Sequence, residues 1–87
     1  DLGVICALAS SLMEKPIPSA TVVCGEVGLA GEVRAIGHMD VRVREAERLG
    51  FTRFVLPRGN KERITWKPKI ELVAVSSLQE VLELVFK

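Results

Sequence analysis

The sequence predicts an α+β domain in which helices pack on a mixed β-sheet. Three observations carry this. "TVVCGEV" (21–27), "FTRFVLP" (51–57) and "IELVAV" (70–75) are short runs rich in β-branched and aromatic residues, the composition of buried strands. "DVRVREAERL" (40–49) and "SSLQEVLELVFK" (76–87) place apolar residues at helical spacing. Finally, Gly-Glu-Val is written twice, at 25–27 and 31–33, around "GLAG", which reads as a tight reversal between antiparallel strands.

Taken in chain order, "LGVICALASSLM" (2–13) sets Ile5, Leu8, Ala9, Leu12 and Met13 at helical spacing, with Val4, Cys6 and Ala7 on the opposite side. A helix apolar all round needs cover on more than one side. The expected cover is a second copy of the chain or segments upstream. "EKPIPSA" (14–20) stops it, since Pro16 and Pro18 lack backbone donors and push their predecessors to extended conformations. Strands at 21–27 and 31–36 follow, with Gly28 and Gly31 bracketing the turn. In the helix at 40–49, Val43, Ala46 and Leu49 face inward, Asp40 is the expected N-cap and Gly50 the stop. The strand at 51–57 ends at Pro57. "RGNKERITWKPK" (58–69) is too polar for core and rich in breakers, and reads as a loop. After the strand at 70–75, a Ser77/Glu80 capping box opens the final helix, with Leu78, Val81, Leu82 and Val85 inward. The expected order is α, β, β, α, β, β, α.

The totals exclude several classes. A chain of 87 residues makes one domain at most and buries roughly 60–65% of its unfolded surface. Twelve basic residues against 11 acidic leave a net charge of +1, so attraction to nucleic acid or an anionic membrane must come from a local patch. No apolar stretch reaches the roughly 20 residues a bilayer requires, and no basic leader precedes one, so the expectation is a cytoplasmic protein without membrane contact. Cys6 and Cys24 sit in apolar runs outside any C-x-x-C, the pattern of reduced, buried thiols. There is no G-x-G-x-x-G and no G-K-[ST], which removes the phosphate-loop reading of the glycines.

"DLGVICALASSL", "TVVCGEVGLAGEVR", "REAERLGFTRFVLP" and "VAVSSLQEVLELV" resemble, in order and spacing, the C-terminal Lon-protease-like domain of the bacterial RadA (Sms) DNA repair proteins. The resemblance implies the C-terminal part of a Lon proteolytic-type fold, also described as ribosomal protein S5 domain 2-like. It covers nearly all of the chain as a single Lon-like segment. It further implies that a zinc segment, an ATPase core and additional strands lie upstream in such proteins, so ATP and zinc are expected there and no cofactor or metal in this chain. Lon peptidases use a serine with a lysine as its base. By this resemblance the serine, in Gly-Pro-Ser-Ala-Gly, falls two residues before Asp1, and Asp40 stands where the lysine would be. No lysine occurs between Gly25 and Pro57. A carboxylate cannot replace an amine that must accept a proton near neutrality, so no catalytic residue is expected here. His38 and Asp40 could pair as in a hydrolytic triad, but the serines of the chain are explained by caps and turns, and His38 reads as a helix-entry residue.

What the resemblance then implies is a non-catalytic scaffold: a module that joins subunits into a ring and contributes basic surface for single-stranded or branched DNA. Candidate DNA-binding residues are Arg58, Lys61, Arg63, Trp66, Lys67 and Lys69, which with Glu62 carry a local charge of +4. Trp66 stacking on an unpaired base stands against Trp66 packing back on the sheet. Arg42, Arg44 and Arg48 form a second basic candidate, offset by Glu45 and Glu47. The alternatives are part of a Ser-Lys peptidase domain, and the Lon-like segment of a Mg-chelatase-type or ComM-type ATPase.

Overall fold

The computed structural model describes residues 3–8 and 21–85. In chain order the elements are β1 (Gly3–Leu8), β2 (Thr21–Val27), β3 (Val33–Arg34), α1 (Met39–Arg48), β4 (Arg53–Pro57), α2 (Arg58–Arg63), β5 (Glu71–Val75) and α3 (Leu78–Val85). The sheet runs β1-β2-β4-β5, with β3 also pairing β2. β1 and β3 are antiparallel to β2, whereas β2, β4 and β5 are mutually parallel, so the mixed α+β architecture expected from the sequence is present.

Helices cover both faces of this sheet, because β2 and β4 carry apolar side chains on both of their sides. Cys24, Phe54 and Leu56 meet Met39, Val43 and Ala46 of α1 together with Ile70. Val23, Val55 and Val75 meet Val81 of α3 on the other face. Val43, Val55 and Leu56 are completely buried. Each such side chain contributes about 1.5–3 kcal/mol relative to exposure.

The repeated Gly-Glu-Val is hairpin architecture. Val27 pairs with Val33 and Glu26 with Arg34 across β2 and β3. Gly31 takes the turn at φ 83°, and its N–H donates to the Gly28 carbonyl at 3.0 Å. Gly25 is required for a different reason: a Cβ there would lie 2.9 Å from Cγ1 of Val33 and 3.1 Å from Cγ of Pro57. Glu32 accepts from the Ala30 N–H at 3.1 Å and from Arg34 at 2.6 Å. Its carboxyl is held below the usual carboxylate range, first by its own backbone N–H and then by the Arg34 guanidinium.

Several expectations are corrected. Residues 3–8 form an edge strand, not the start of a helix, and the remainder of the expected helix and its proline stop lie outside the described residues. Pairing with β2 over six register positions outweighs the helical spacing, and Val4 and Ile5 suit a strand equally well. The second hairpin strand spans two residues instead of 31–36. The α1 N-cap is His38, in the left-handed region at φ 59°, which moves Asp40 into the first turn. Leu49 and Leu82, expected inward, are 59% and 45% exposed.

Cys24 is buried as expected but disulfide-bonded, not reduced. In the β1–β2 register Cys6 is the backbone position opposite Cys24.

The ends of two helices follow the sequence closely. Gly50 lies at φ 91° and donates to Glu47 O at 3.0 Å, while Phe51 donates to Ala46 O at 3.0 Å, the paired bonds of a Schellman stop. Ser77 Oγ accepts from the Glu80 N–H at 3.2 Å. The Glu80 carboxylate reaches back one residue further than a capping box requires, to the Ser76 N–H at 2.7 Å. Gly50→Ala is expected to cost about 1–2 kcal/mol in urea denaturation, because an L side chain at positive φ is strained. Gly37→Ala, where a Cβ meets nothing within 4 Å, should leave stability unchanged or raise it slightly.

Candidate nucleic-acid interface

Parallel pairing of β4 with its neighbours puts Pro57 at a fixed carboxyl end, and the chain turns there directly into α2. The expected loop at 58–69 is therefore helix over its first half. Arg, Lys and Glu are good helix formers, and Pro57 supplies an extended entry at ψ 143°. What α2 positions is Asn60, 4% exposed. Its Oδ1 accepts from the Ile36 N–H at 2.9 Å and its Nδ2 donates to the Ile36 carbonyl at 2.8 Å. One side-chain amide thus replaces a strand partner for the loop leading into α1.

A second tie fastens the other end of α1. The Glu47 carboxylate accepts from the backbone N–H groups of Lys69 and Ile70, the latter at 3.0 Å. Residues 64–70 therefore run alongside α1, and a groove opens between them. Its upper part, about 380 Å³, is lined by His38, Asp40, Arg44, Asn60, Arg63 and Trp66 among others. Its lower part, about 450 Å³, is lined by Arg44, Glu47, Arg48 and Lys69 with Phe51 and Thr52.

Arg44 belongs to both parts, and its guanidinium sits 4.0 Å from the centre of the Trp66 ring. Trp66 is partly buried and packs against the core cluster that contains Met39 and Ile70. One side of the indole thus meets the interior, and the arginine stacks on the ring. Arg63 joins Arg44 at the groove. Lys61, Lys67 and Lys69 are exposed. Arg58 stands apart from them: its Nε donates to Ser76 Oγ at 3.1 Å, and it lies 3.9 Å from the Glu80 carboxylate. Arg48 pairs with Glu45, which lowers the Glu45 carboxyl and raises the arginine, while Arg44 faces the groove.

Arg44 of the second basic candidate thus meets Trp66 of the first, and Arg63 lines the same part of the groove, while Arg42 and Arg58 lie elsewhere. Spacing alone gives no signal for that contact, since Arg44 and Trp66 lie on different elements. Asn60 was not among the candidate residues either; a buried asparagine inside a polar run has no periodicity to mark it. His38 and Asp40 both line the groove, with Asp40 exposed on the first turn of α1. Among the described residues no group of three His, Cys, Asp or Glu is arranged to hold a metal ion, and no helix is long and apolar enough to cross a membrane.

The sequence matches the Lon protease (S16) C-terminal proteolytic domain over residues 1–87. The chain belongs to that family. Among curated proteins it is 40% identical to the DNA repair protein RadA of Streptococcus pneumoniae over 86 residues, 99% of this chain and 20% of that protein. It is 42% identical to RadA of Halalkalibacterium halodurans over 83 residues, 95% of this chain and 18% of the relative. RadA of Aquifex aeolicus is 41% identical over 86 residues, 99% of this chain and 19% of the relative. The chain thus spans about a fifth of the length of these relatives.

Asn60→Leu should destabilise the domain by about 2–4 kcal/mol, because both backbone groups of Ile36 lose their partner while remaining part-buried. Denaturant unfolding checks this, and an unchanged midpoint would show that the amide clamp is dispensable.

Proposed function

We propose that this chain is a non-catalytic module of a RadA-type DNA repair and recombination ATPase, acting as a scaffold between subunits and as a surface for DNA. The observation that carries the reading is the groove along α1, lined by Arg44 and Arg63 in one part and by Arg44, Arg48 and Lys69 in the other, in a domain whose curated relatives are DNA repair proteins. Guanidinium and ammonium groups aligned along a groove engage phosphates without regard to base sequence. A single strand or a branch point is the expected ligand, since a net charge of +1 provides no general field. Trp66 meets a base only if Arg44 swings off its ring, so in this reading its first role is to hold that guanidinium at the groove. Arg58, engaged at the β5–α3 turn, is the weakest contributor of the set.

The non-catalytic part rests on Asp40 in the place of the Lon lysine. An exposed carboxylate is no substitute for the amine base. The ATPase step belongs to other segments of such proteins, as do their ATP and zinc. For the scaffold part the support is apolar surface: Val41 and Leu49, each 59% exposed, border a cleft of about 440 Å³ lined by Val22, Phe51 and Phe54. A second copy of the domain in a ring is the occupant this reading assigns.

Changing Arg58, Lys61, Arg63, Lys67 and Lys69 together to Ala, in the protein that carries this chain, should weaken binding to single-stranded DNA. The slope of log K against log salt should fall by roughly 0.7 for each phosphate contact removed. Fluorescence anisotropy with an unchanged slope would overturn the DNA-surface reading. Separately, Val41→Glu with Leu49→Glu should shift the assembled protein toward smaller species in analytical ultracentrifugation, and an unaltered distribution would count against the scaffold reading.

A further inference from the structure

We propose that the face of Trp66 beneath Arg44 is a stacking site for one unpaired base of a DNA strand, and that Arg44 exchanges the ring for the strand's phosphate as the base arrives. This rests on the groove being a DNA surface and names the part of the strand that it reads. Trp66 is partly buried and packs against the core cluster of Met39 and Ile70, which fixes the plane of the indole. The Arg44 guanidinium lies over that ring, 4.0 Å from its centre. Arg44, Trp66 and Arg63 line a cavity of about 380 Å³, a volume in the range of small-ligand pockets, so a nucleoside has room beside two guanidinium groups.

Among the described residues no carboxylate pairs with Arg44, which leaves its guanidinium able to move. Glu45, beside it on α1, pairs with Arg48. The Glu47 carboxylate accepts from the backbone N–H groups of Lys69 and Ile70. Asp40, one turn earlier and lining the same cavity, makes no ion pair with the arginine. The contact that holds Arg44 in place is the ring itself.

Magnitudes favour the exchange. A cation over an exposed aromatic face is held by roughly two- to fivefold. A base stacked on such a ring is held by roughly 5- to 150-fold. The displaced guanidinium meets a phosphate through two parallel N–H···O bonds, the stronger kind of charge-assisted contact. One weak contact is thus replaced by two stronger ones when a strand lies in the groove. Every base has a π-face, but in a duplex both faces are covered by neighbouring base pairs, so the site selects unpaired over paired bases and is indifferent to which base it holds.

The test uses the protein that carries this chain and two labelled strands of equal length, oligo-dT and an abasic strand with the same phosphates, followed by fluorescence anisotropy. Trp66→Leu should cut the preference for oligo-dT over the abasic strand by roughly tenfold, while the abasic affinity and its salt slope stay as they are. Arg44→Gln should lower the salt slope on oligo-dT by about 0.7 and leave that on the abasic strand unchanged, because without a base the guanidinium stays on the ring. An equal fall on both strands would show that the arginine meets phosphate without leaving the indole, and overturns the exchange. Should Trp66→Leu fail to fold, the wild-type protein still decides: photocrosslinking to an iodouracil-substituted strand should attach it to the tryptic peptide 64–69, whose one aromatic residue is Trp66. No crosslink there overturns the stacking site, as does a base preference that Trp66→Leu leaves whole. Arg63→Ala with Lys69→Ala separates the two readings. If that pair weakens the abasic strand while stacking fails, the groove holds phosphates alone; if it leaves the abasic affinity and slope untouched, the DNA surface itself is lost and the stacking site with it.

Discussion

Everything else in this domain depends on the two-sided burial of β4. Phe54 and Leu56 project into one layer, Val55 and Pro57 into the other, and all four are cut off from water. A strand in that situation has no face to offer solvent, so it must sit between two others, and parallel neighbours β2 and β5 supply the hydrogen bonds. Helix α1 then closes one face and α3 the other. The uniform apolar runs of the sequence are a direct consequence, because alternation would place polar groups in one of the two layers.

The same constraint fixes the groove. With β4 immobile, the residues after Pro57 begin at a defined point, and Asn60 comes within reach of Ile36 across 24 positions of sequence. Two amide bonds there set the entry to α1, and two backbone bonds to Glu47 set the path of residues 64–70 beside it. Hydrogen bonds of this sort contribute about 1 kcal/mol each, yet leaving buried partners unpaired costs more, so the arrangement is stabilised chiefly by the penalty for losing it. Between the two ties Arg44 rests on Trp66. The position of the guanidinium is thus inherited from core packing through three short links.

How much of this the sequence discloses depends on whether the determinant is local. Strand β2 is legible because "TVVCGEV" is apolar on both sides, and the hairpin because Gly31 must take positive φ. Gly50 and Ser77 mark helix ends through bonds made within a few residues. Residues 3–8 defeat the reading, since Val4, Ile5 and Leu8 satisfy helical spacing and strand preference together, and the choice is made by a partner strand elsewhere. The short helix α2 is hidden by Gly59 and a wholly polar run. Neither the Asn60 clamp nor the Arg44–Trp66 stack has a local signature, as each joins elements distant in sequence. The basic residues themselves are visible in the sequence; the contact that brings Arg44 onto Trp66 is not.

The fold also explains why a peptidase architecture can persist beside unrelated surface chemistry. The residues that hold the domain together, Phe54, Val55, Leu56, Val43 and Val75, lie in the two core layers, while His38, Asp40, Arg44 and Arg63 line a groove at the rim. Replacing the exposed groove residues Asp40, Arg44 or Arg63 leaves the layers intact, so these positions can change charge at little cost to folding. Lys61, Lys67 and Lys69 are exposed, so their ammonium groups keep their hydration. A buried lysine at position 40 would reverse that argument. With an exposed aspartate there instead, this rim presents a carboxylate beside the guanidinium groups of Arg44 and Arg63, a charge pattern that the buried layers neither require nor oppose.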